Sequence, residues 1–127
     1  MTETKYFTRE DAQKTLPLVR KIVQDILTTT REMRLLAENL EGGIEDDPLI
    51  LKMVKQVDGF LRELEEIGCQ YKDWNFTIGL VDFPAIINGE EVLLCWRSDE
   101  EEIKYYHNYE DGYSGRKLIP LEYYSYK

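Results

Sequence analysis

Two stretches of the sequence repeat apolar residues in a three-four alternation, and this spacing constrains the fold more than any other feature. The stretches cover residues 16–41 and 48–67. Such an alternation places apolar side chains along one narrow stripe of a helix, as in the seam of a coiled coil. The stripe residues are Val19, Ile22, Ile26, Met33, Leu36 and Leu40, broken only by Thr29, and then Ile50, Met53, Val57, Phe60, Leu64 and Ile67. We therefore predict two long helices.

Residues that favour helix ends predict where the first helical stretch begins. Thr8 can accept hydrogen bonds from the free amides of a first turn, so a helix should start there. Pro17 lacks the amide that a continuing helix needs and disfavours helical geometry at the residue before it. We therefore expect a short helix over 8–15 and a separate long helix over 16–41.

Similar signals mark the two ends of the second helix. Gly42-Gly43 should end the long first helix, and Asp47-Pro48 combines a capping carboxylate with a proline at the first helical position. Gly68 is placed to terminate the second helix. Two apolar stripes joined by a short acidic connection predict an antiparallel helical hairpin over 16–67.

The period of the sequence changes after the second helix. Residues 92–97 alternate in the two-residue period of a strand. Asn88-Gly89 lies between short apolar runs, and both residues tolerate the positive φ that a tight hairpin turn requires. The acidic run at 98–101 indicates a second turn, followed by a strand over 102–107.

These elements fit one domain. The chain has 127 residues, which is the size of a single domain, and 43% of them are hydrophobic. We predict one α+β domain over residues 1–127, in which a long antiparallel helical hairpin packs with a small antiparallel β-meander of about three strands. The helical part covers residues 8–68, and residues 69–127 form the β-meander and a tyrosine-rich tail.

A turn at 98–101 sets the register of the two strands that flank it. Leu94 then lies opposite Tyr105, and Val92 lies opposite His107. One face of the meander would carry Val92, Leu94, Trp96, Ile103, Tyr105 and His107, and the other would carry Cys95, Arg97, Glu102 and Lys104. A slip of one residue would exchange these faces.

Residues 82–116 gather most of the side chains that could form a site. His107 is the only histidine, and its imidazole titrates near neutral pH. It could act as a general base, a ligand donor or a metal ligand. Alternatively, it is a buried imidazole bonded to a carbonyl or to an acid such as Asp82, which is the more common role of a lone histidine on an apolar strand.

Arg97 and Arg116 lie in the same segment, and their planar guanidinium groups suit the binding of carboxylate or phosphate. As structural groups, Arg97 would pair with Glu102, and Arg116 with Asp82 or Glu110. Gly112-x-x-Gly115 would be a turn that leads into Arg116. The candidate ligand-binding residues are therefore Asp82, Arg97, Glu102, His107 and Arg116, while no catalytic residue can be assigned.

Composition and missing motifs exclude several classes of function. With 16 basic and 25 acidic residues the net charge is −9, which disfavours nucleic acid as a partner. The sequence contains no apolar run long enough to span a bilayer, and its first residues lack a signal peptide core, so we expect no membrane association and a cytoplasmic location. Cys69 and Cys95 are expected to be buried thiols. No nucleotide, hydrolase or zinc motif occurs, so we predict no cofactor and no metal site.

The sequence also resembles DUF2203, an uncharacterised prokaryotic family. The resemblance rests on Tyr6-Phe7-Thr8, Leu16-Pro17-Leu18-Val19, Gly79-Leu80-Val81-Asp82-Phe83-Pro84, Leu94-Cys95-Trp96-Arg97, Ile103 with His107, and Gly112-x-x-Gly115-Arg116. This chain has Tyr106 where the family usually has tryptophan, and Ser98-Asp99-Glu100 where a Gly-Glu-Pro turn is usual. The resemblance implies a small soluble prokaryotic protein and no established activity.

Three functional hypotheses follow from the sequence. The first is a non-catalytic interaction or adaptor module that self-associates as a homodimer, because the apolar stripes could pair with those of a second copy. The alternative is a small-molecule-binding protein or small enzyme that uses the five candidate residues. The third, ranked last because the sequence has no zinc-like ligand spacing, is a metal site formed by His107 and nearby carboxylates. Enzymatic activity stays undecided, and the absence of a recognisable nucleophile–base pair favours a non-catalytic role.

Overall fold

The computed structural model describes residues 4–40 and 47–124. Within these residues the chain forms two α-helices and a five-stranded antiparallel sheet in the order β1-β2-β3-β4-β5. The elements are α1 (Arg9–Glu38), α2 (Pro48–Ile67), β1 (Gln70–Tyr71), β2 (Leu80–Ile87), β3 (Glu90–Arg97), β4 (Tyr105–His107) and β5 (Lys117–Leu118), with single 3₁₀ turns at Gly112–Gly115 and Leu121–Tyr123. The predicted α+β fold of a helical hairpin packed with a meander is confirmed, whereas the number of strands is five instead of three.

The first helix is continuous, so the predicted break before Pro17 is wrong. Thr8 caps α1 as predicted, since its hydroxyl accepts a hydrogen bond from the Asp11 amide at 3.0 Å. Proline in a helix interior costs about 3 kcal/mol. Leu16 and Val19 flank it and are fully buried, and such burial contributes about 1.5–3 kcal/mol for each large side chain. Packing on both sides of the proline therefore outweighs its cost.

The other helix ends follow the capping residues closely. Asp47 begins α2 by accepting from the amides of Leu49 and Ile50, both at 3.0 Å. Gly68 ends α2 in the left-handed conformation with φ of 106°. α1 stops at Glu38 instead of residue 41, and the predicted Gly42-Gly43 terminator lies outside the described residues.

The two helices pack along the predicted stripes. In α2 the buried positions are spaced by seven residues, at Ile50, Val57 and Leu64. In α1 the core positions are Ala12, Leu16, Val19, Ile22, Val23, Ile26 and Thr30. The buried residues of α1 end at Thr30, and those before it share one core cluster with residues of the sheet. Neither described helix has the length and apolar character of a membrane-crossing helix.

The sheet is organised by one tight hairpin and one close contact with α1. Asn88 and Gly89 have φ of 54° and 79°, which confirms the predicted hairpin between β2 and β3. Gly79 precedes β2, and a Cβ atom there would lie 2.3 Å from the Cγ1 atom of Val23. Glycine therefore allows β2 to start directly against α1.

The strands present two faces of different composition. The inner face packs against the helices and carries Val81, Phe83, Ala85, Val92, Leu94 and Trp96, all members of the apolar core. The outer face carries the alternating residues Leu80, Asp82, Pro84, Leu93, Cys95 and His107. Both faces are largely buried in the middle of β2 and β3.

The pairing of β3 with β4 differs by one residue from the predicted register. His107 lies opposite Leu93, and Tyr105 lies opposite Cys95. The connection is longer than the predicted four-residue turn because Ile103 leaves the strand. Its amide donates to the Gln13 side chain at 2.9 Å, and its own side chain is fully buried in the core.

This slip moves the histidine to the other face of the sheet. The predicted strand over 102–107 is shortened to β4, and His107 faces outward with Cys95, away from Leu94 and Trp96. The predicted assignment of His107 to the apolar face is therefore wrong.

Candidate functional site

Three polar side chains meet on the outer face, and we call them the outer-face trio: Asp82, Cys95 and His107. Each comes from a different neighbouring strand, since Asp82 lies on β2 opposite Cys95 on β3, and β4 supplies His107. Their exposed fractions are 3%, 1% and 4%. One donor atom from each residue lies within 4.8 Å of the other two. The meander therefore places a carboxylate, a thiol and an imidazole at one point.

The contacts of His107 define its protonation. The Nδ1 atom lies 2.7 Å from the Asn108 carbonyl oxygen, which can only accept, so Nδ1 carries a hydrogen. The Nε2 atom lies 3.1 Å from the Oδ2 atom of Asp82. Because a lone pair on Nε2 would face an acceptor oxygen, a proton or another cation must lie between these two atoms. The predicted buried imidazole, bonded to a carbonyl or to Asp82, is confirmed and makes both contacts.

Burial controls the charge of the other two members. Desolvation raises the pKa of the Asp82 carboxyl, although His107 opposes this shift. Burial and, to a smaller extent, the neighbouring Asp82 raise the pKa of the Cys95 thiol to about 12, although Arg116 opposes the shift. Without an added cation, the trio therefore disfavours a second negative charge.

A cavity of about 290 Å³ opens above the outer-face trio, and we call it the outer cavity. All three members of the trio line it. Its remaining walls come from β1, the start of β2, β3 and the segment after β4, namely Gln70, Lys72, Leu80, Leu93, Tyr109, Gly112 and Tyr113. The trio is thus buried yet lies beside a space that a small ligand could enter.

Arg116 lies beside the trio without touching its acidic member. Its Nη2 atom donates to both carboxylate oxygens of Glu100, at 2.6 and 2.8 Å, and to the backbone carbonyl of Cys95 at 3.2 Å. Its guanidinium lies over the rings of Tyr105 and Tyr113, at 4.0 and 4.9 Å from their centroids. The predicted pairing of Arg116 with Asp82 or Glu110 is therefore wrong. Arg116 instead holds the strand that carries the thiol.

Glu100, in the acidic run after β3, has a structural role. Its carboxylate accepts from the Arg97 amide at 2.7 Å as well as from Arg116. Its carbonyl accepts from the Trp96 indole at 2.9 Å. Only 16% of the Glu100 side chain is exposed, so this residue is part of the structure that supports β3.

The remaining two candidates lie farther from the trio. Arg97 pairs with Asp99 at 2.5 Å and donates to the Tyr113 hydroxyl, so it reaches the outer cavity only through Tyr113. Glu102 is exposed and pairs with Arg9 at 3.4 Å, on the α1 side. The predicted pairing of Arg97 with Glu102 is wrong. Of the five candidate residues, the structure joins Asp82 with His107, places Arg116 next to Cys95 and separates the rest.

Sequence reasoning missed Cys95, Lys72 and Tyr109 as site residues. The signal for Cys95 was present, because the alternation of β3 and a register shifted by one residue place it on the face of His107. Lys72 follows the two-residue strand β1, and Tyr109 follows β4 in an irregular segment. Neither position carries a pattern that a sequence could reveal.

A second, apolar cavity lies between the C-terminal half of α1 and α2, and we call it the helical groove. It has a volume of about 480 Å³. Its apolar lining comes from the C-terminal half of α1, from α2 and from one loop residue, namely Met33, Ala37, Ile50, Val54, Val57, Leu61 and Phe76. Val54 is 48% exposed in this groove. The stripes are therefore covered by the sheet at one end and open at the other.

Comparison with known proteins gives one match. The sequence model of a family described as "Uncharacterized conserved protein (DUF2203)" matches residues 5–119. Neither the curated proteins nor the solved structures give a significant match to this chain. The matched range includes the outer-face trio, Arg116 and the whole helical groove.

Proposed function

We propose that this chain, which belongs to the DUF2203 family, binds a small polar molecule in the outer cavity. The observation that carries the proposal is the convergence of Asp82, Cys95 and His107 beneath that cavity. Polar groups in a buried position cost stability relative to apolar side chains of similar size. A role in binding accounts for three such groups at the centre of an otherwise apolar sheet.

The size of the outer cavity limits the ligand. Ligand cavities commonly span about 300–1,000 Å³, and the outer cavity, at about 290 Å³, is just below this range. The space suits a small metabolite and is too small for a dinucleotide.

The rim of the outer cavity indicates the chemistry of the ligand. Lys72 provides an ammonium group, and Tyr109 and Tyr113 provide phenols. A cation beside two hydroxyl donors suits a carboxylate or phosphate group on the ligand. At the base, the Asp82 carboxylate, which binds His107 through one oxygen, can accept a hydrogen bond from a second polar group of the same molecule.

Native mass spectrometry of untagged protein, purified without chelator, tests this proposal. We expect a small adduct, and we expect small carboxylates or phosphate esters to raise the melting temperature. Lys72→Met should weaken both effects, whereas Lys104→Met removes an exposed lysine that does not line the outer cavity and should leave them unchanged. The proposal fails if no adduct and no stabilising compound is found, or if the two lysine variants behave identically.

The helical groove supports a second function, self-association as a homodimer interaction module. Exposed apolar side chains continue around the groove on α2, where Leu49, Leu51 and Val54 are 50%, 46% and 48% exposed. Such a patch at the open end of a helical pair is typical of a protein interface, and closed two-fold pairing is the most common arrangement of soluble oligomers. A second copy is therefore the proposed occupant.

Sedimentation velocity measures the self-association directly. Val54→Glu places a charge in the helical groove and should convert a dimer to a monomer. Leu121→Glu is a matched control, because Leu121 is 71% exposed and does not line the helical groove. A wild-type protein that sediments as a monomer at high concentration would exclude this second function.

We also propose a cytosolic location and a prokaryotic origin. Both cysteines are free and buried, which is typical of proteins in a reducing compartment. Fractionation of the host cells tests the location.

A further inference from the structure

We infer that Asp82, Cys95 and His107 form a binding site for a thiophilic divalent metal ion, with zinc as the ion that fits best. The inference deepens the proposed function and rests on it only for the fourth coordination position, which faces the outer cavity. The three donors are a carboxylate oxygen, a thiol sulfur and an imidazole nitrogen.

The first argument is geometric. Zinc bonds of about 2.0–2.3 Å in a tetrahedral arrangement place neighbouring ligand atoms roughly 3–4 Å apart. The three donor atoms lie within 4.8 Å of one another, and Nε2 of His107 is 3.1 Å from Oδ2 of Asp82. Because each donor comes from a different strand of one antiparallel sheet, the backbone holds the three at fixed positions. Only small side-chain rotations are needed to centre an ion between them.

The second argument is the orientation of the imidazole. The Nδ1–H group of His107 donates to the Asn108 carbonyl oxygen at 2.7 Å. Metal-binding histidines commonly donate their other ring nitrogen to a carbonyl in this way, which fixes the tautomer and the ring plane. The Nε2 lone pair then points at Asp82. A metal ion can occupy the position that a shared proton otherwise fills.

The third argument is electrostatic. The trio is almost completely buried, and its nearest guanidinium, that of Arg116, is already paired with Glu100 at 2.6 Å. A divalent ion neutralises one carboxylate and one thiolate. Metal coordination deprotonates a thiol outright, so the high intrinsic pKa of Cys95 does not prevent ligation. The released protons make binding stronger as the pH rises.

The donor types select among metals. Calcium and magnesium prefer oxygen ligands and do not suit a thiolate. A mixed sulfur, nitrogen and oxygen set suits zinc, and three protein ligands with an open position are characteristic of catalytic zinc sites. The outer cavity would supply a water molecule, or the small ligand itself, as the fourth ligand.

Cobalt titration of chelator-treated protein tests the metal site independently of any small molecule. One equivalent of Co²⁺ should produce a thiolate-to-cobalt charge-transfer band and the visible bands of tetrahedral cobalt. Zinc should then displace the cobalt and abolish both. His107→Gln and Asp82→Asn should weaken cobalt binding by at least about tenfold, since losing even an outer-shell partner costs about 10–100-fold.

The second cysteine provides the matched control. Cys69 is also buried and its pKa is also raised to about 12 by burial, but it belongs to the apolar core and its thiol donates to the Leu64 carbonyl at 3.3 Å. Cys95→Ser should lose the charge-transfer band, and Cys69→Ala should keep it. Circular dichroism of each variant verifies its fold, and if Cys95→Ser fails to fold, the Asp82 and His107 variants carry the test.

The possible outcomes separate the two proposals. A charge-transfer band that persists in Cys95→Ser, or its absence in wild-type protein, overturns the metal site. If cobalt gives no band while Lys72→Met still reduces the bound adduct, the small-molecule site stands without a metal. If the band appears in both wild type and Lys72→Met but no small ligand binds, the metal site stands and the proposed small-molecule function fails.

Discussion

The inner and outer faces of the sheet are formed by alternate residues of the same strands, and the middle of each face is buried. The inner face achieves this with aromatic and aliphatic side chains that pack on α1, such as Phe83 and Trp96. The outer face contains Asp82, Cys95 and His107, whose donor atoms lie within 4.8 Å of one another, and beside them Arg116 pairs with Glu100. The same backbone thus supports two different kinds of interior.

This difference separates the part of the protein that specifies the fold from the part that is available for chemistry. Apolar packing tolerates imperfect geometry, because dispersion and the hydrophobic effect have little directionality. A buried polar cluster is stable only when each donor finds its acceptor. Substitutions on the two faces should therefore change the free energy of unfolding by different amounts. Those on the outer face should depend more strongly on which neighbours are present.

The largest effect is expected on the inner face. Phe83 is fully buried and forms an edge-to-face contact with Phe7 at 5.3 Å. Phe83→Ala should lower the free energy of unfolding by about 3–5 kcal/mol, because it leaves a cavity in the core. Urea denaturation measures this value. Ile86→Ala on the outer side of the same strand is the control. Because Ile86 is 50% exposed, this variant should lose far less stability. Comparable losses would show that the two faces do not differ.

The ion pair that supports the outer face should give the next largest effect. Glu100→Gln keeps the shape of the side chain but leaves Arg116, whose side chain is only 12% exposed, without a counter-charge. Losing hydrogen bonds to a charged group costs about 1.5–3 kcal/mol. Glu102→Gln, in the same acidic run, should change stability by less than about 0.5 kcal/mol because this carboxylate is exposed. Equal losses in urea denaturation would contradict a structural role for Glu100.

The coupling between Asp82 and His107 tests whether the outer face depends on a paired polar contact. In metal-free protein, Asp82→Ala or His107→Ala alone removes one partner and leaves the other buried group unsatisfied, so the double variant should be more stable than the sum of the single losses predicts. Interaction energies of about 0.5–3 kcal/mol are typical of contacting buried residues.

A surface pair serves as the control for this double-mutant cycle. Lys21 and Asp25 pair at 2.7 Å on an exposed turn of α1, and such pairs contribute only about 0.3–0.5 kcal/mol. If the cycle for Asp82 and His107 gives no more than this value, the outer-face trio is not a coupled unit.

The sequence predicted the inner face better than the outer face for a physical reason. The stripes, the caps at Thr8, Asp47 and Gly68, and the Asn88-Gly89 hairpin are local signals, and the structure confirms them. Pro17 misled because core packing on both sides outweighs a local helix penalty. Two-residue strands such as β1 and β5 carry no periodicity at all.

The position of the site depends on a one-residue shift in the pairing of β3 with β4. Local signals in the sequence could not determine this shift. The connection after β3 lengthens because α1 holds Ile103 through the side chains of Gln13 and Arg9, at 2.9 Å in both contacts. These contacts are separated by about ninety positions in the sequence. A long-range contact therefore decides whether His107 joins Cys95 or faces the helices, and only Asp82 with His107 was anticipated as a pair.

The smallest predicted effect concerns the polar exception on the inner face. The hydroxyl of Tyr71 on β1 is buried without a hydrogen-bond partner among the described residues, and burial raises its pKa. Tyr71→Phe removes the unsatisfied group but keeps the ring contacts with Trp74 and Phe76, at centroid distances of 5.6 Å in both cases. The variant should be unchanged or more stable by up to about 1 kcal/mol, because no hydrogen bond is lost. A clear loss of stability in urea denaturation would mean that the hydroxyl has a partner, such as a bound water, and that the inner face also relies on a satisfied polar contact.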